Sequence, residues 1–218
     1  MREPPTAQGV ATRARIVVAA AELVSRRGVA ATSLDDVRAA SATSKSQLYH
    51  YFGDKAGLVL AVVEHHRDTV LAGQALLEEP LDSLAALHRW RLRTLAAHRR
   101  DGLDRPCPIG RLAAELGNDD PARLAVRAAL DTWRAQLATG LHRMQQRAAL
   151  RPEAEPEALA AALLGAVQGG RLLSATVGDI TPLRWSLDAV IARVAELTTQ
   201  SAHEPRVGSS TRTQPGTT

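Results

Sequence analysis

The chain has 218 residues, of which 45% are hydrophobic and 3% aromatic, enough for a packed core in one large domain or two small ones. Its net charge of +4 permits nucleic-acid binding but does not require it, because the basic excess is not concentrated in one part of the chain. A single cysteine excludes a disulfide framework and a cysteine-rich zinc site, and no apolar run resembles a signal peptide or membrane span, so we expect a soluble cytoplasmic protein.

The composition predicts an all-α fold. Alanine, leucine and arginine dominate the chain, and they favour helices over sheets. No segment alternates apolar and polar residues for long enough to predict a strand. Proline and glycine divide the sequence into about nine helical segments. We expect one domain at residues 8–53, a second at residues 54–200 and a disordered tail at residues 201–218.

The first predicted helix covers residues 12–27 and is amphipathic. It stops at Gly28, a residue that commonly ends helices. Such a helix can bury a pair of shorter helices that follow it. Its apolar face is formed by Ile16, Ala20, Leu23 and Val24.

Two short helices come next, separated by residues 41–43. Ser33 and Asp36 have the spacing of a capping box and start the first of them, which ends near residue 40. Ser44 is a suitable N-cap for the second, which runs over about residues 45–51. Such a pair predicts a helix-turn-helix motif, in which the second helix has the dimensions and hydrogen-bond donors to enter a major groove of DNA.

Six further helices are predicted beyond the motif, and most begin at a proline or at a capping residue. The first joins the two domains. In chain order they cover Lys55 to about Glu79, Pro80 to Asp101, a short helix after Cys107-Pro108 that ends at Gly117, and helices that start at Asp120-Pro121, Glu155-Pro156 and Thr181-Pro182.

The last two helices suggest an interface between subunits. The helix after Pro156 is rich in alanine and glycine, which allow two helices to approach closely. The helix after Pro182 carries a wide apolar stripe. In a monomer both helices would form core, whereas in a homodimer they would build a four-helix interface, which we favour because helix-turn-helix readers work as symmetric dimers. The stripe consists of Leu183, Leu187, Val190, Ile191, Val194 and Leu197.

The first quarter of the chain contains Gly28 after the first helix, Thr32-Ser33 at the next helix start, and the run Leu48-Tyr49-His50-Tyr51-Phe52 followed by Lys55 and Leu58. With these motifs, residues 11–58 resemble the N-terminal domain of TetR/AcrR-type bacterial transcriptional repressors. That family has a first helix ending in Gly, a Thr-rich helix start and the pattern LYxYFxxKxxL. Ala42 departs from the pattern, because the family usually has Gly in this turn, and Thr43 stands where Val is common. A Cβ atom tolerates a left-handed turn poorly, so we expect strain or a different turn at Ala42. The matching residues are Gly28, Thr32, Ser33, Leu48, Tyr49, Tyr51, Phe52, Lys55 and Leu58.

The resemblance implies a DNA-binding role for the exposed residues of the motif, and their chemistry agrees. Lys45 and Ser46 are placed to reach base edges, and Lys45 suits guanine O6 and N7. Gln47 suits adenine or a phosphate. Tyr49, His50 and Lys55 are expected to hold phosphates, as is Ser33, which stands where the family often has a phosphate-binding Thr. Ser44 is a cap first, Leu48 and Phe52 are expected in the core, and Tyr51 either packs or touches DNA.

The segment CPIGRLAAEL, residues 107–116, is similar to the C-terminal domain of a subgroup that includes LmrA- and YxaF-like repressors. This similarity implies a regulatory domain that binds a small molecule between its helices and then releases DNA. We expect a largely apolar effector between residues 80 and 171. Candidate ligand-binding residues are Trp90, Cys107, Trp133, Met144, Gln168 and Arg171.

Other functions have less support in the sequence. No metalloprotease, hydrolase, Walker or dinucleotide-binding motif occurs, so we expect neither an enzyme nor a cofactor or metal site. Cys107 is either a redox switch or a small apolar residue. His88, His98 and His142 are interpreted as surface or satisfied core residues. A helical adaptor that does not bind DNA is the alternative, but it would leave the exposed polar residues of the motif without a role.

Overall fold

The computed structural model describes residues 6–75, 81–117 and 120–199. These residues form nine α-helices and, within the same ranges, no strand beyond an isolated bridge between Leu150 and Thr198. The all-α prediction is therefore confirmed. The helices are α1 (Ala7–Arg27), α2 (Leu34–Ser41), α3 (Lys45–Phe52), α4 (Lys55–Ala75), α5 (Leu84–Asp101), α6 (Pro108–Glu115), α7 (Pro121–Gln146), α8 (Pro156–Val177) and α9 (Thr181–Glu196).

Local capping explains where most helices begin. Ser33 and Ser44 cap α2 and α3 as predicted, and the Asp120 carboxylate accepts the backbone N–H of Ala122 at the start of α7. Two predicted starts are wrong. The first helix begins at Ala7 because the Thr6 hydroxyl accepts the N–H of Gly9, and α5 begins at Leu84 because Ser83 caps it. Pro80 itself, the predicted end of the linking helix at Glu79 and the predicted tail at residues 201–218 lie outside the described residues.

The first three helices pack around a small apolar centre. Ile16, Val37 and Leu48 bring one buried side chain from each helix, and α4 closes the cluster with Val62. The fourth helix also contacts α6 and α7, so it belongs to both parts of the molecule. A displacement of α4 or α6 would therefore change the packing of the helix-turn-helix.

The larger part of the core lies among α5, α7, α8 and α9. Trp133, Leu137, Leu141 and Met144 are buried along α7, in the register that the sequence predicts. The eighth helix packs between α7 and α9. Its length and apolar composition would also suit a membrane span, but a core helix of this kind has the same features.

The stripe of α9 faces the core of its own chain. Leu183, Leu187, Ile191 and Val194 are at most 2% exposed, so they are occupied by contacts with α8 and α5. The prediction that this stripe forms the interface between subunits is wrong, because an amphipathic helix uses its apolar side for the nearest available core. Other large apolar side chains of α8 and α9 are exposed, as described below.

Candidate functional site

The third helix presents a row of polar side chains to solvent. Leu48 and Phe52 are buried as predicted, and they fix which side of the helix faces outward. Tyr51 is half-buried and stacks edge-on against both His50 and Phe52. The exposed residues are Ser44, Lys45, Ser46, Gln47, Tyr49 and His50, all of which the sequence predicts as DNA contacts.

Lys45 and Tyr49 lie one turn apart and interact. The Lys45 Nζ atom is 5.9 Å from the centroid of the Tyr49 ring, within the range of a cation–π contact. Tyr49 is 48% exposed. The pair places a positive charge and a phenol hydroxyl side by side at the beginning of α3, a combination suited to a phosphate or a guanine edge.

A reciprocal capping box fixes the start of α3. The Ser44 hydroxyl accepts the backbone N–H of Gln47 at 3.1 Å, and the Gln47 Oε1 atom accepts the backbone N–H of Ser44 at 3.0 Å. Gln47, predicted as a base contact, thus also has a structural role that the sequence analysis did not assign. The position of the helix end is set before any DNA is bound.

The turn between α2 and α3 contains a strained alanine. Ala42 has φ 48° and ψ 46°, the left-handed conformation that a Cβ atom disfavours, so the expectation of strain is confirmed. Neighbouring groups hold the turn in place. The hydroxyls of Ser41 and Thr43, both buried, lie 2.7 Å apart, and Arg15 of α1 donates from Nε to the Ser41 carbonyl at 3.0 Å.

Ser33 and Lys55 occupy the N-termini of α2 and α4. The Ser33 hydroxyl donates to Asp36 at 2.6 Å, and the hydrogen bonds from its hydroxyl and backbone N–H hold the pKa of the Asp36 carboxyl below its usual value. Lys55 is half-buried, and its Nζ atom donates to the Ala30 carbonyl at 3.4 Å. Both residues therefore support the motif internally, which the sequence analysis did not predict.

The sixth helix attaches the C-terminal part of the molecule to the end of α1. The Glu115 carboxylate accepts the backbone N–H of Val29 at 2.5 Å, and Arg111 donates from Nη1 to the Ser25 carbonyl at 2.9 Å. The two side chains also pair with each other at 2.7 Å. Gly28 makes the approach possible, since a Cβ there would come within 2.8 Å of the carboxylate. We call this set of contacts the α6 clasp; sequence analysis missed it because its partners are 86 residues apart.

The predicted ligand-binding residues fall into two groups. Trp90, Cys107, Trp133 and Met144 are at most 2% exposed and belong to the apolar core. Gln168 and Arg171 lie one turn apart on α8. The Gln168 side chain lies against Gly110, whose Cβ position is also next to Cys107, so these residues meet beneath α6. Arg171 is turned toward α5, where it pairs with Asp101 at 2.8 Å.

The charge of Arg171 influences His98 of α5. The interpretation of His98 as a surface or satisfied core residue is wrong. The ring is fully buried, and among the described residues neither of its nitrogens has a hydrogen-bond partner. Burial, reinforced by the charge of Arg171 and opposed by Asp101, lowers the pKa of His98 to about 4. The histidine is therefore neutral at physiological pH. His142, in contrast, is exposed and lies 3.4 Å from Glu157.

Across the described ranges, no group of three or more metal-ligating side chains occurs. Cys107 is buried, so access to its thiol is restricted.

Comparison with known proteins identifies the fold and the family. Residues 16–62 match the family model described as bacterial regulatory proteins, tetR family, and residues 80–190 match a tetracyclin repressor-like C-terminal domain. The second match does not confirm the LmrA- and YxaF-like subgroup. The first matched segment includes α3, and the second includes α6.

Individual relatives agree with these matches. The transcriptional regulator AcuR of Cereibacter sphaeroides is 34% identical over 154 residues, covering 67% of this chain and 68% of that protein. The crystal structure of a TetR transcriptional regulator from Chloroflexus aurantiacus has a TM-score of 0.77 at 25% identity, over 88% of this chain and 98% of that one. A regulatory protein TetR from Rhodobacter sphaeroides gives 0.70 at 26% identity, over 83% and 97%. With an exposed recognition helix and relatives that regulate transcription, this chain belongs to the TetR family of DNA-binding transcriptional regulators.

Proposed function

We propose that this protein is a ligand-responsive repressor that binds a palindromic operator as a homodimer and is released from DNA by a small molecule. The observation that carries the proposal is the pre-capped α3, whose exposed side is lined by Lys45, Ser46, Gln47, Tyr49 and His50. A helix of eight residues with this polar face suits a major groove, and the family match supports that use. The protein acts in the cytoplasm, where its operator is found.

Within this proposal, Lys45 and Ser46 contact bases at the beginning of α3. Tyr49 and His50 lie further along the same exposed side and contact phosphates, as do Ser33 and Lys55 at the neighbouring helix N-termini. Gln47 contacts DNA only through the part of its amide that the capping box leaves free. Ser44 positions the helix through its cap.

The homodimer uses a face of α8 and α9 that is apolar and exposed in the single chain. Leu172, Leu173 and Val177 of α8 are 54 to 62% exposed, and Trp185 of α9 is 65% exposed. Large apolar side chains clustered on one face are typical of protein interfaces, and a tryptophan is a common anchor there. Pairing this face with its symmetry mate gives a four-helix interface and places two α3 helices for two half-sites.

The regulatory part would release DNA by moving α4 and α6 relative to the helix-turn-helix. Both helices contact the first domain, α4 through shared core residues and α6 through the clasp. An effector shifts this equilibrium only if it binds the released state more tightly than the DNA-bound state.

A mobility-shift experiment with the DNA that flanks the protein's own gene tests the proposal. We expect a saturable shift that competitor DNA of unrelated sequence does not abolish, with two protein chains per site. The matched control is the variant Lys45→Ala combined with Tyr49→Ala, which removes exposed groups and leaves the core and the capping box unchanged. Equal shifts for both proteins would contradict the interface assigned to α3. Absence of any shift by the unchanged protein would favour a helical adaptor.

A further inference from the structure

We call four residues of α5 and α8 the polar cluster: His98 and Asp101 of α5, and Gln168 and Arg171 of α8. Arg171 and Asp101 are joined by an ion pair at 2.8 Å, and both influence the charge of His98. Arg171 is 8% exposed and His98 is fully buried, whereas the Asp101 side chain is 50% exposed. Asp101 thus marks the solvent side of the cluster.

The polar cluster contains buried hydrogen-bonding atoms that nothing in the described structure satisfies. These are both ring nitrogens of His98, Nε of Arg171 and Nε2 of Gln168. More than nine in ten buried polar groups in proteins have a hydrogen-bond partner, and each group without one lowers the stability of the folded protein. Four such atoms lie on residues of α5 and α8, two helices that the Arg171–Asp101 ion pair joins. They require an explanation other than stability of the empty protein.

The chemistry of the unsatisfied atoms indicates what would satisfy them. Arg171 Nε and Gln168 Nε2 can only donate hydrogen bonds, and a neutral imidazole offers one donor and one acceptor. Donors therefore outnumber acceptors by three to one. A carboxylate, with two oxygens that accept several hydrogen bonds in one plane, matches this set, and arginine is suited to hold it.

The charges of the polar cluster fit a monoanion. Arg171 and Asp101 compensate each other, and His98 is neutral in the empty protein. A bound carboxylate would add one negative charge, which His98 can balance by taking up one proton. A phosphate dianion would leave a further charge uncompensated in a buried place, which is costly.

We propose that the polar cluster binds the carboxylate group of the small-molecule effector, with His98 and Arg171 as its main contacts and Gln168 as a third donor. The inference rests on the proposed function, because it assigns the effector class to the regulatory domain. The sequence analysis expected a largely apolar effector. We now propose a carboxylic acid whose remaining atoms pack against the apolar core.

The cluster has a direct connection to the DNA-binding domain. Gln168 lies against Gly110 of α6, where a Cβ would collide with its Oε1 atom. The same helix carries Arg111 and Glu115, which hold Ser25 and Val29 in the α6 clasp. A carboxylate that draws the Gln168 amide toward Arg171 therefore changes the packing under α6 and the position of the end of α1.

Calorimetry on the full chain tests the site directly. The probes are acetate, butanoate and benzoate with their three uncharged amides, at pH 7 in phosphate and in Tris buffer, which differ in ionisation enthalpy. We expect at least one acid to bind, its amide to bind at least about tenfold more weakly, and binding of the acid to take up close to one proton.

Three variants separate a ligand contact from a structural role. Arg171→Gln and His98→Phe should each weaken acid binding at least about tenfold, and His98→Phe should also abolish the proton uptake. Because His98→Phe removes unsatisfied nitrogens, its thermal midpoint should be equal to or above that of the parent protein. His88→Gln, an exposed position on the same helix, is the control and should change neither quantity.

The proposal is overturned if no acid binds, if amides bind as well as acids, or if His98→Phe retains the proton uptake. Operator affinity is measured on the same samples without and with the acid. Loss of operator binding in all samples would contradict the proposed repressor but leave the calorimetric result standing. Acid binding without any change in operator affinity would support the carboxylate site and contradict release by this ligand.

Discussion

The DNA-binding domain and the helices of the C-terminal part differ in whether their polar side chains have hydrogen-bond partners. Around α2 and α3, Ser33, Ser44 and Thr43 all have hydrogen-bond partners within a few residues along the chain. Between α5 and α8, His98 and Arg171 are buried with atoms left unsatisfied in the described structure. The first domain is therefore preorganised by local contacts, whereas the second has buried polar atoms without partners, which the proposed carboxylate would satisfy.

We expect the largest effect from variants that disrupt the proposed homodimer, because operator binding should require two chains. Trp185→Glu combined with Leu172→Glu should produce monomers that bind operator roughly 100-fold more weakly or worse, because two half-sites can then no longer be bound together. Light scattering gives the mass and a mobility shift gives the affinity. Leu124→Glu, at an α7 position that is 71% exposed, is the control and should remain a dimer. A dimeric Trp185→Glu, Leu172→Glu protein would contradict the interface.

Two lysines test whether the preorganised domain separates reading from positioning. Lys45→Ala should lose about 1–3 kcal/mol of discrimination at one base of each half-site. Lys55→Ala should weaken specific and nonspecific DNA binding alike and reduce the salt dependence by about one counterion per subunit. Binding is measured against single-base operator variants at two salt concentrations. A uniform loss for Lys45→Ala would assign it to a phosphate and leave base reading to Ser46 and Gln47.

Buried histidines make the regulatory core and α4 sensitive to acid. Burial, with a contribution from His65, lowers the pKa of His66 to about 4, and burial does the same for His98. Below pH 6.5 the unfolded chain takes up protons that the folded chain does not bind until about pH 4. Stability is thus complete above pH 6.5 and falls as the pH decreases toward 4, by roughly 2 kcal/mol per histidine at pH 5.

Urea unfolding at pH 7 and pH 5 measures this effect. His66→Gln and His98→Gln should each reduce the difference in unfolding free energy between the two pH values, whereas His88→Gln at an exposed position should not. An unchanged pH dependence in both buried variants would show that other groups cause the acid sensitivity.

The smallest effect tests the local caps. Ser44→Ala removes the acceptor for the Gln47 N–H and should destabilise the protein by about 1 kcal/mol, with weaker operator binding because α3 frays. Ser46→Ala, two residues later and exposed, should leave the unfolding free energy nearly unchanged. The midpoints of thermal unfolding of the two variants measure this difference in stability. Equal midpoints would mean that tertiary packing alone stabilises α3.

The same contrast explains what the sequence could predict. The caps at Ser33, Ser44 and Asp120 were predictable because each bond joins residues two or three positions apart. The start of α5 was misplaced at Pro80 because proline and Ser83 compete as start signals within one turn. The orphaned His98 could not be predicted, since its lack of partners depends on how α5 meets α8.

The candidate sites also differ in how well the sequence predicts them. The period of α3, with Leu48 and Phe52 inward, predicted the exposed residues Lys45, Ser46, Gln47, Tyr49 and His50. The apolar stripe of α9 was correctly recognised but assigned to the wrong partner, because periodicity shows that a face is buried and not what buries it. Trp185, outside the stripe, marks the exposed face instead.

The two sides of the α6 clasp differ in how many substitutions they tolerate. On the side of the DNA-binding domain it engages only main-chain atoms, the Val29 N–H and the Ser25 carbonyl. Substitutions at positions 25 and 29 other than proline keep these atoms, so these two positions can change while the connection persists. Gly28 is the exception on this side, because a Cβ there would collide with the Glu115 carboxylate. On the regulatory side, a single nucleotide change in the codon for Arg111 or Glu115 suffices to break it. Mutants that remain bound to DNA in the presence of inducer should therefore accumulate in α6, and few should arise at the residues that α6 holds.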